Sequence, residues 1–308
     1  MQLAPIILFV YNRPSHAEQT LTALAANHLA DQSMLYIYSD GPKHDVSDDV
    51  LNGIKRTREV IRNKRWCKEV FVIESEFNNG LANSVINGVT EILNKHEQAI
   101  VLEDDLVTHP FFLTYMNSYL DIYKDDDSVI SLHGFMYPVK EKIDTPFFLK
   151  GADCWGWATW KRGWDLFQQD GQLLLNQLVK RNLAKEFNFN NSYNYTSLLE
   201  AQIKGEVDSW AIRWYASAFL AGKLTLYPPF TLVHNIGFDG TGTHQDNINN
   251  NTPNAFEEGG FEIKKIIPVE NKQVKKQIEL FFKGRNFYFK RATQKVKSYI
   301  KKNLFSKN

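Results

Sequence analysis

The chain has 308 residues and a mass of 35.6 kDa, enough for one large α/β domain or two modest ones, and its 43% hydrophobic and 23% charged residues exclude disorder along the whole length. A mean hydropathy of −0.37, without an unbroken apolar run of about 18 residues, excludes a helix that spans a bilayer. The net charge of +1 is uneven: residues 283–308 carry nine basic side chains and no acid, which leaves 27 basic against 35 acidic residues, a charge of −8, on residues 1–282.

An acidic body argues against a nucleic-acid groove, and no nucleic-acid partner is expected. Cys67 and Cys154 are far apart and lack zinc-like spacing, which fits a reducing cytoplasm. The first apolar run, from Ala4 to Tyr11, is closed by Asn12 and Arg13 with no small-residue cleavage site behind it, so it reads as a buried strand over residues 6–11 and not as a secretory signal. Ser15 and Glu18 spell a capping box that opens a helix to about residue 28. A second strand over 34–39 stops at Asp40-Gly41-Pro42. A charged helix over 48–63, a third strand over 69–73, a turn at Asn78-Asn79-Gly80 and a helix over 81–95 follow. The fourth strand, 99–102, runs into Glu103-Asp104-Asp105. This alternation predicts a mainly parallel α/β sheet flanked by helices, with polar residues gathered at the carboxyl ends of the strands, where open sheets of this kind bind ligands.

Farther along, the pattern predicts a helix over 110–123, a strand over 129–133, polar helical sequence over 170–204 and a mobile loop over 239–254 with Gly, Thr and Pro among asparagines, while Gly237 to His244, with glycines at 237, 240 and 242, has the composition of a lid or of a plain surface loop. Four of the seven tryptophans fall between 155 and 164; Trp157, Trp160 and Trp164 share one helical face and are expected in the core. Residues 1–282 are expected to form one domain with halves 1–135 and 136–282. Residues 283–308 are expected to form a basic amphipathic helix, with Phe289, Ala292, Val296, Tyr299, Ile300 and Leu304 along one stripe. No internal repeat is visible.

Three adjacent carboxylates repel one another. In Asp125-Asp126-Asp127, at the end of a helix, the simple explanation is a solvated turn. At Glu103-Asp104-Asp105 the apolar strand on one side and the helix on the other hold the acids in place, where they suit a hard divalent cation, Mn²⁺ or Mg²⁺, that can neutralise a diphosphate.

The segments Pro5-Ile6-Ile7-Leu8 with Tyr11-Asn12-Arg13, Tyr38-Ser39-Asp40-Gly41, and Val101-Leu102-Glu103-Asp104-Asp105-Leu106 with Pro110-Phe111-Phe112 resemble the nucleotide-sugar-binding half of GT-A glycosyltransferases, N-acetylglucosaminyltransferase I and its bacterial relatives in particular. The likeness covers roughly residues 4–235 and is most specific at the acidic motif. It implies a GT-A, Rossmann-like nucleotide-binding half joined to an acceptor-binding half, and hexosyl or N-acetylhexosaminyl transfer from a nucleotide-sugar, UDP-linked by preference, to a glycan or lipid-linked saccharide. It further implies that Asp105 binds the metal, that Glu103 and Asp104 face ribose and donor sugar, that Asp40 meets the base edge, and that Tyr11, Arg13 and Gly80 line the nucleotide. For Arg13 a surface ion pair is an equally good reading of the residue alone. A late histidine completing the metal shell would be His234, although a lone histidine is more often structural.

Inverting transfer needs a carboxylate to take the acceptor's proton. Asp208 in Val207-Asp208-Ser209-Trp210 resembles the family's D-x-W segment; Glu200 and Glu206 compete, and Asp208 as the N-cap of the following helix is the rival structural reading. Trp155 and Gly156 suit stacking on a sugar ring, with Asp153 bonding a hydroxyl, as the acceptor site. A nucleotidyltransferase shares the clustered acids but opens with a glycine-rich phosphate loop, whereas strand one here runs into Tyr11-Asn12-Arg13-Pro14. A carbohydrate-binding module built on the tryptophans is the non-enzymatic alternative. The cationic end is expected to meet an anionic membrane surface, peripherally on its inner face.

Overall fold

A computed structural model describes residues 2–239 and 256–284. Strand β1 (Ile6–Val10) is buried along its whole length and pairs in parallel with β2 (Met34–Ser39) on one side and β4 (Gln98–Glu103) on the other; β2 pairs in parallel with β3 (Glu69–Glu74) at the sheet edge. Helices α1 (Pro14–Ala25), α2 (Asp48–Arg62) and α3 (Leu81–His96) make the connections, with a 3₁₀ turn at Ala30–Gln32.

After β4 come β5 (Leu106–Thr108), α4 (Phe112–Ile122), β6 (Val129–His133), β7 (Phe147–Lys150) and β8 (Trp157–Trp160). The chain continues through α5 (Lys161–Trp164), α6 (Gly171–Lys180), α7 (Ala184–Phe187), α8 (Tyr195–Ile203), α9 (Trp210–Leu220), β9 (Leu224–Tyr227) and β10 (Val233–Asn235), and residues 272–284 form a further helix. The eight-stranded sheet has the order β3-β2-β1-β4-β8-β6-β9-β7, with β8 and β7 running against the rest, and β5 pairs with β10 in a separate antiparallel ribbon. The fold class is therefore α/β with a mainly parallel sheet, as the strand and helix alternation predicts.

Period-two alternation sends Ile6 and Leu8 to one face of the sheet and Ile7 and Phe9 to the other. The first face packs under α1 and α4 with Leu35, Ile100 and Leu102; the second packs under α3 and α9 with Val101, Trp157, Trp210 and Trp214. A third cluster gathers β7, α6 to α9 and the 272–284 helix through Leu178, Phe187, Phe219 and Ile278. That helix straddles residues 282 and 283, where a boundary is expected from charge.

Several local expectations change. Ser15 does not cap α1: Pro14 takes the first helical position, where its missing N–H costs nothing, and Arg13 is the N-cap residue without a side-chain cap bond. Trp157 and Trp160 do not share a helical face, because β8 is a strand whose alternation buries them on opposite faces of the sheet; Trp164, in α5, returns to Trp157 at 5.7 Å between ring centroids. Residues 171–203 break into three helices that bury Leu174, Leu178, Phe187 and Leu199, so they are amphipathic and not simply polar. Residues 240–244 of the expected lid, 240–254 of the expected loop and 285–308 of the expected cationic helix lie outside the described residues.

Candidate active site

The chain builds β1, β2 and β3 to one side and then returns across β1 to place β4. The carboxyl ends of β1 and β4 are thus neighbours at the point where strand order reverses, the place at which open α/β sheets form a binding crevice. Arg13 emerges just past β1, and Glu103, Asp104 and Asp105 emerge from β4.

The Arg13 guanidinium grips both aspartates. Its Nη2 donates to Asp104 Oδ1 and, at 2.8 Å, to Asp105 Oδ2; its Nε lies 3.4 Å from Asp104 Oδ2. The three side chains are 19%, 6% and 15% exposed, so the contact is no loose surface pair. Thr20, fully buried on α1, donates its hydroxyl to the Asp104 carbonyl at 2.8 Å. Burial works against the Arg13 charge, but the two carboxylates outweigh it and raise its pKa. Burial pushes Glu103 upward, and the charges of Asp105 and Asp104 add to the rise. Asp104 is also pushed up by burial, with Arg13 opposing. Two aspartates share one guanidinium, an imbalance that a cation would relieve.

Residues after β10 cover this cluster. Ile236 N donates to the Asp105 carbonyl at 2.8 Å, and a Cβ on Gly237 would fall onto Asp105 Oδ2 and within 3.1 Å of Arg13 Nη1, so only glycine fits. His16 Nε2 stands 3.3 Å from Asp239 Oδ2. His16 and Thr20 belong to no motif in the sequence. Their signal is helical spacing: positions 13, 16, 17 and 20 form one face of α1, which docks against the acidic turn.

Asp40, at the end of β2, spends its carboxylate on backbone. It accepts from Asn79 N at 2.9 and 3.1 Å, from Gly80 N at 3.1 Å and from Gly41 N at 3.0 Å. It thereby fixes the turn in which Gly80 adopts φ +78°, a left-handed conformation suited to glycine. Tyr11 lies beside this turn, its pKa raised by burial, with a bond to the Lys43 backbone lowering it and the Asp40 charge adding to the rise.

Asp208 reaches the same turn from the far side. Its Oδ2 accepts from Ala82 N at 3.3 Å in the first turn of α3 and sits 3.3 Å from the Cβ position of Gly80. The rival reading of Asp208 as the N-cap of its own helix does not hold: Ser209 is the N-cap of α9, its Oγ accepting from Ile212 N at 3.3 Å. Asp208 is one residue too early, and its exposed side chain turns to α3 instead. Glu200 and Glu206 are exposed, on α8 and in the turn that follows.

The third wall carries Asp153, Trp155 and Gly156. Asp153 Oδ2 accepts from the Tyr137 hydroxyl at 2.6 Å and the Tyr227 hydroxyl at 3.2 Å. Trp155 N donates to His133 Nε2 at 3.1 Å, and its ring meets Phe135 edge-on at 4.8 Å and Phe238 at 5.7 Å. Gly156 has φ +58° and would drive a Cβ to 2.6 Å from Val233, so packing alone requires glycine there. Burial raises the Cys154 thiol, and the charges of Glu103, Asp153 and Asp105 add to the rise, which ties this loop electrostatically to the acidic motif. Phe238 links Trp155 to the segment over Asp105.

His234 lies on β10 opposite Val107. Its ring stacks on Phe256 at 4.1 Å, both ring nitrogens are buried without a hydrogen-bond partner, and burial followed by the His109 charge lowers its pKa. A neutral, unpartnered imidazole is chemically suited to a metal. Among the described residues, however, no group of three or more His, Cys, Asp or Glu side chains is arranged to hold one. Asp105 offers a single carboxylate. That donor set fits a hard cation that takes one or two protein carboxylates and completes its shell with water and substrate phosphates, not a cage built wholly by protein.

No protein-family model matches this sequence, and no curated protein matches it. Among solved structures, the chain is similar to S. aureus TarS residues 1–349, at 12% identity over 77% of this chain and a TM-score of 0.41. It spans 61% of that TarS chain. It is also similar to a UDP-glucose pyrophosphorylase complexed with UDP-glucose, at 12% identity over 54% of this chain and 79% of that one, with a TM-score of 0.31. Likeness at this level leaves the chemistry to be argued from the site.

Proposed function

We propose that this chain is a cation-assisted glycosyltransferase that moves a sugar from a nucleotide-sugar, UDP-linked by preference, to a glycan or lipid-linked saccharide. The observation that carries the reading is the pairing of Arg13 with Asp104 and Asp105 where β1 and β4 end side by side. A diphosphate needs positive charge and a fixed frame at such a crevice, and Arg13 supplies planar, two-pronged donors suited to phosphate oxygens. Tyr11 and the turn fixed by Asp40 flank the nucleoside side, and Gly80 allows close backbone approach. Glu103 and Asp104 face the ribose and donor sugar.

Transfer with inversion follows from the opposite carboxylate. The acceptor oxygen attacks the anomeric carbon, the bond from that carbon to the phosphate oxygen breaks, and the nucleoside diphosphate leaves with the electron pair. Asp208 takes the hydroxyl proton; the Ala82 N–H in the first turn of α3 holds its carboxylate in place. Asp153 and Trp155 offer a polar and an aromatic contact for the acceptor sugar. Mn²⁺ or Mg²⁺ bound at Asp105, with His234 proposed as a neutral ligand completing its shell, would offset the charge developing on the diphosphate. Strand β1 opens into Tyr11-Asn12-Arg13-Pro14, without the glycines that wrap a triphosphate, which favours this reading over nucleotidyl transfer.

Among the described residues no helix is long and apolar enough to cross a membrane. The cationic segment 283–308 is proposed to hold the enzyme peripherally at an anionic surface near a lipid-linked acceptor. Product analysis after incubation with nucleotide-sugars and Mn²⁺ tests the reaction class. Release of a nucleoside diphosphate supports sugar transfer, and pyrophosphate-dependent formation of a nucleoside triphosphate would assign nucleotidyl transfer instead.

A further inference from the structure

We infer that Arg13 is a placeholder cation: in the unliganded chain it occupies the charge position on Asp105 that the divalent cation takes with the donor, and it hands Asp105 over when diphosphate arrives. The inference rests on the donor-site reading above and adds a role for Arg13 that ordinary phosphate binding does not require.

The geometry separates two halves of the Arg13 contact. Asp104 is held from two directions, by Nη2 and Nε, and is the more buried acid at 6% side-chain exposure, with its carbonyl fixed by Thr20. Asp105 is held by the single 2.8 Å bond from Nη2 to its Oδ2, is 15% exposed, and lies against Gly237, where an added Cβ would fall on that same oxygen. Nη2 is thus shared between both carboxylates. Two aspartates share one guanidinium, so a dication gains on entry, but Asp105 Oδ2 is already engaged by Arg13. A cation that takes both oxygens of Asp105 therefore displaces Nη2 from Oδ2, while the Arg13 Nε can stay on Asp104. The freed Nη2 then faces the crevice, where a diphosphate oxygen is its natural acceptor.

This arrangement makes cation and nucleotide mutually dependent. In the absence of diphosphate, the Arg13 charge opposes the dication; in its presence, Arg13 finds a new partner and the opposition disappears. Linkage then demands that Mn²⁺ strengthen nucleotide binding by the same factor by which nucleotide strengthens Mn²⁺ binding. Among the described residues, the other titratable groups around the pair are Glu103 on β4, Cys154 in the loop before β8, His16 on α1 and Asp239 beyond β10. None of these is a fixed cation that would take Arg13's place.

The test is a Mn²⁺ titration followed by electron paramagnetic resonance of the free ion, on full-length wild type, Arg13→Gln and Arg13→Lys. It is run without nucleotide and with UDP, GDP or dTDP. Arg13→Lys guards against misfolding of the glutamine variant, because lysine keeps a positive charge but cannot bridge both carboxylates as a fork. Removing the competing charge should tighten binding of Mn²⁺ alone about tenfold in Arg13→Gln and less in Arg13→Lys. The enhancement by nucleotide should shrink in both variants. Mn²⁺ affinity equal to or weaker than wild type in both variants, with nucleotide still bound, would overturn the placeholder while leaving the donor site standing. Nucleotide binding in wild type that ignores Mn²⁺ and chelator would make Arg13 a permanent counter-ion and overturn it too. Failure of every nucleotide to bind wild type would instead defeat the donor-site reading on which the inference rests.

Discussion

Asp208 stands one residue ahead of the Ser209 cap of α9 and lends its carboxylate to α3, so a single substitution separates its chemistry from its packing. Asn in its place can still accept from Ala82 N but cannot take a proton. Asp208→Asn is expected to melt with wild type and to bind donor normally, while turnover falls at least about a hundredfold, the usual contribution of a positioned base. Steady-state transfer assays check this; wild-type turnover would reduce Asp208 to a helix contact and send the search to Glu200 and Glu206. At this scale the sequence was partly legible. Consecutive acids after an apolar strand are visible locally, and so is an aspartate before a serine and a tryptophan. What Asp208 touches lies 126 residues away, and what Arg13 touches lies 91 or 92 residues away, so neither partner is readable from spacing. Asp40 is the clearest case: its type and place at a strand end point to a ligand, yet its oxygens hold the Asn79-Gly80 turn.

The elements show why strands were easier to place than caps. Residues 34–39 and 129–133 are strands with the bounds that their apolar pattern and flanking turn residues dictate. The capping box at Ser15 failed because Pro14 nucleates the helix one residue earlier, and Trp157 to Trp160 read as helix because a four-residue strand is too short to display period two. The β5 and β10 ribbon was not legible at all, since its three-residue strands pair across more than a hundred residues; yet it sets the backbone of Ile236 and Gly237 over Asp105. Gly237→Ala tests that contact. The added methyl must displace either the carboxylate or the segment, and overpacking of this kind costs about 1–3 kcal/mol. We predict a lower melting temperature together with Mn²⁺-dependent donor binding weakened about tenfold, the equivalent of about 1.4 kcal/mol. Calorimetry that finds wild-type donor affinity would show that the segment moves clear of the site when donor binds.

Across the whole molecule, charge and topology divide the work. The sheet reverses at β1 and β4 and so creates one acidic crevice, while the surplus of lysine and arginine is confined to residues 283–308 of an otherwise acidic chain. Removing 285–308, just beyond a helix anchored by Val274, Ile278 and Phe282, should leave the domain folded and abolish salt-sensitive sedimentation with anionic vesicles. Equal vesicle binding by full-length and truncated proteins would show that the segment serves another purpose. The central claim is a cation-assisted nucleotide-sugar site at the β1 and β4 ends, and the most direct measurement is calorimetric titration of UDP-, GDP-, CMP- and dTDP-sugars into wild type and Asp105→Ala, each with and without Mn²⁺. The account predicts that one of these donors binds wild type in a Mn²⁺-dependent manner and that Asp105→Ala loses the Mn²⁺-dependent part while remaining folded. Unchanged Mn²⁺-dependent affinity in Asp105→Ala, or no binding of any donor to the wild type, would contradict it.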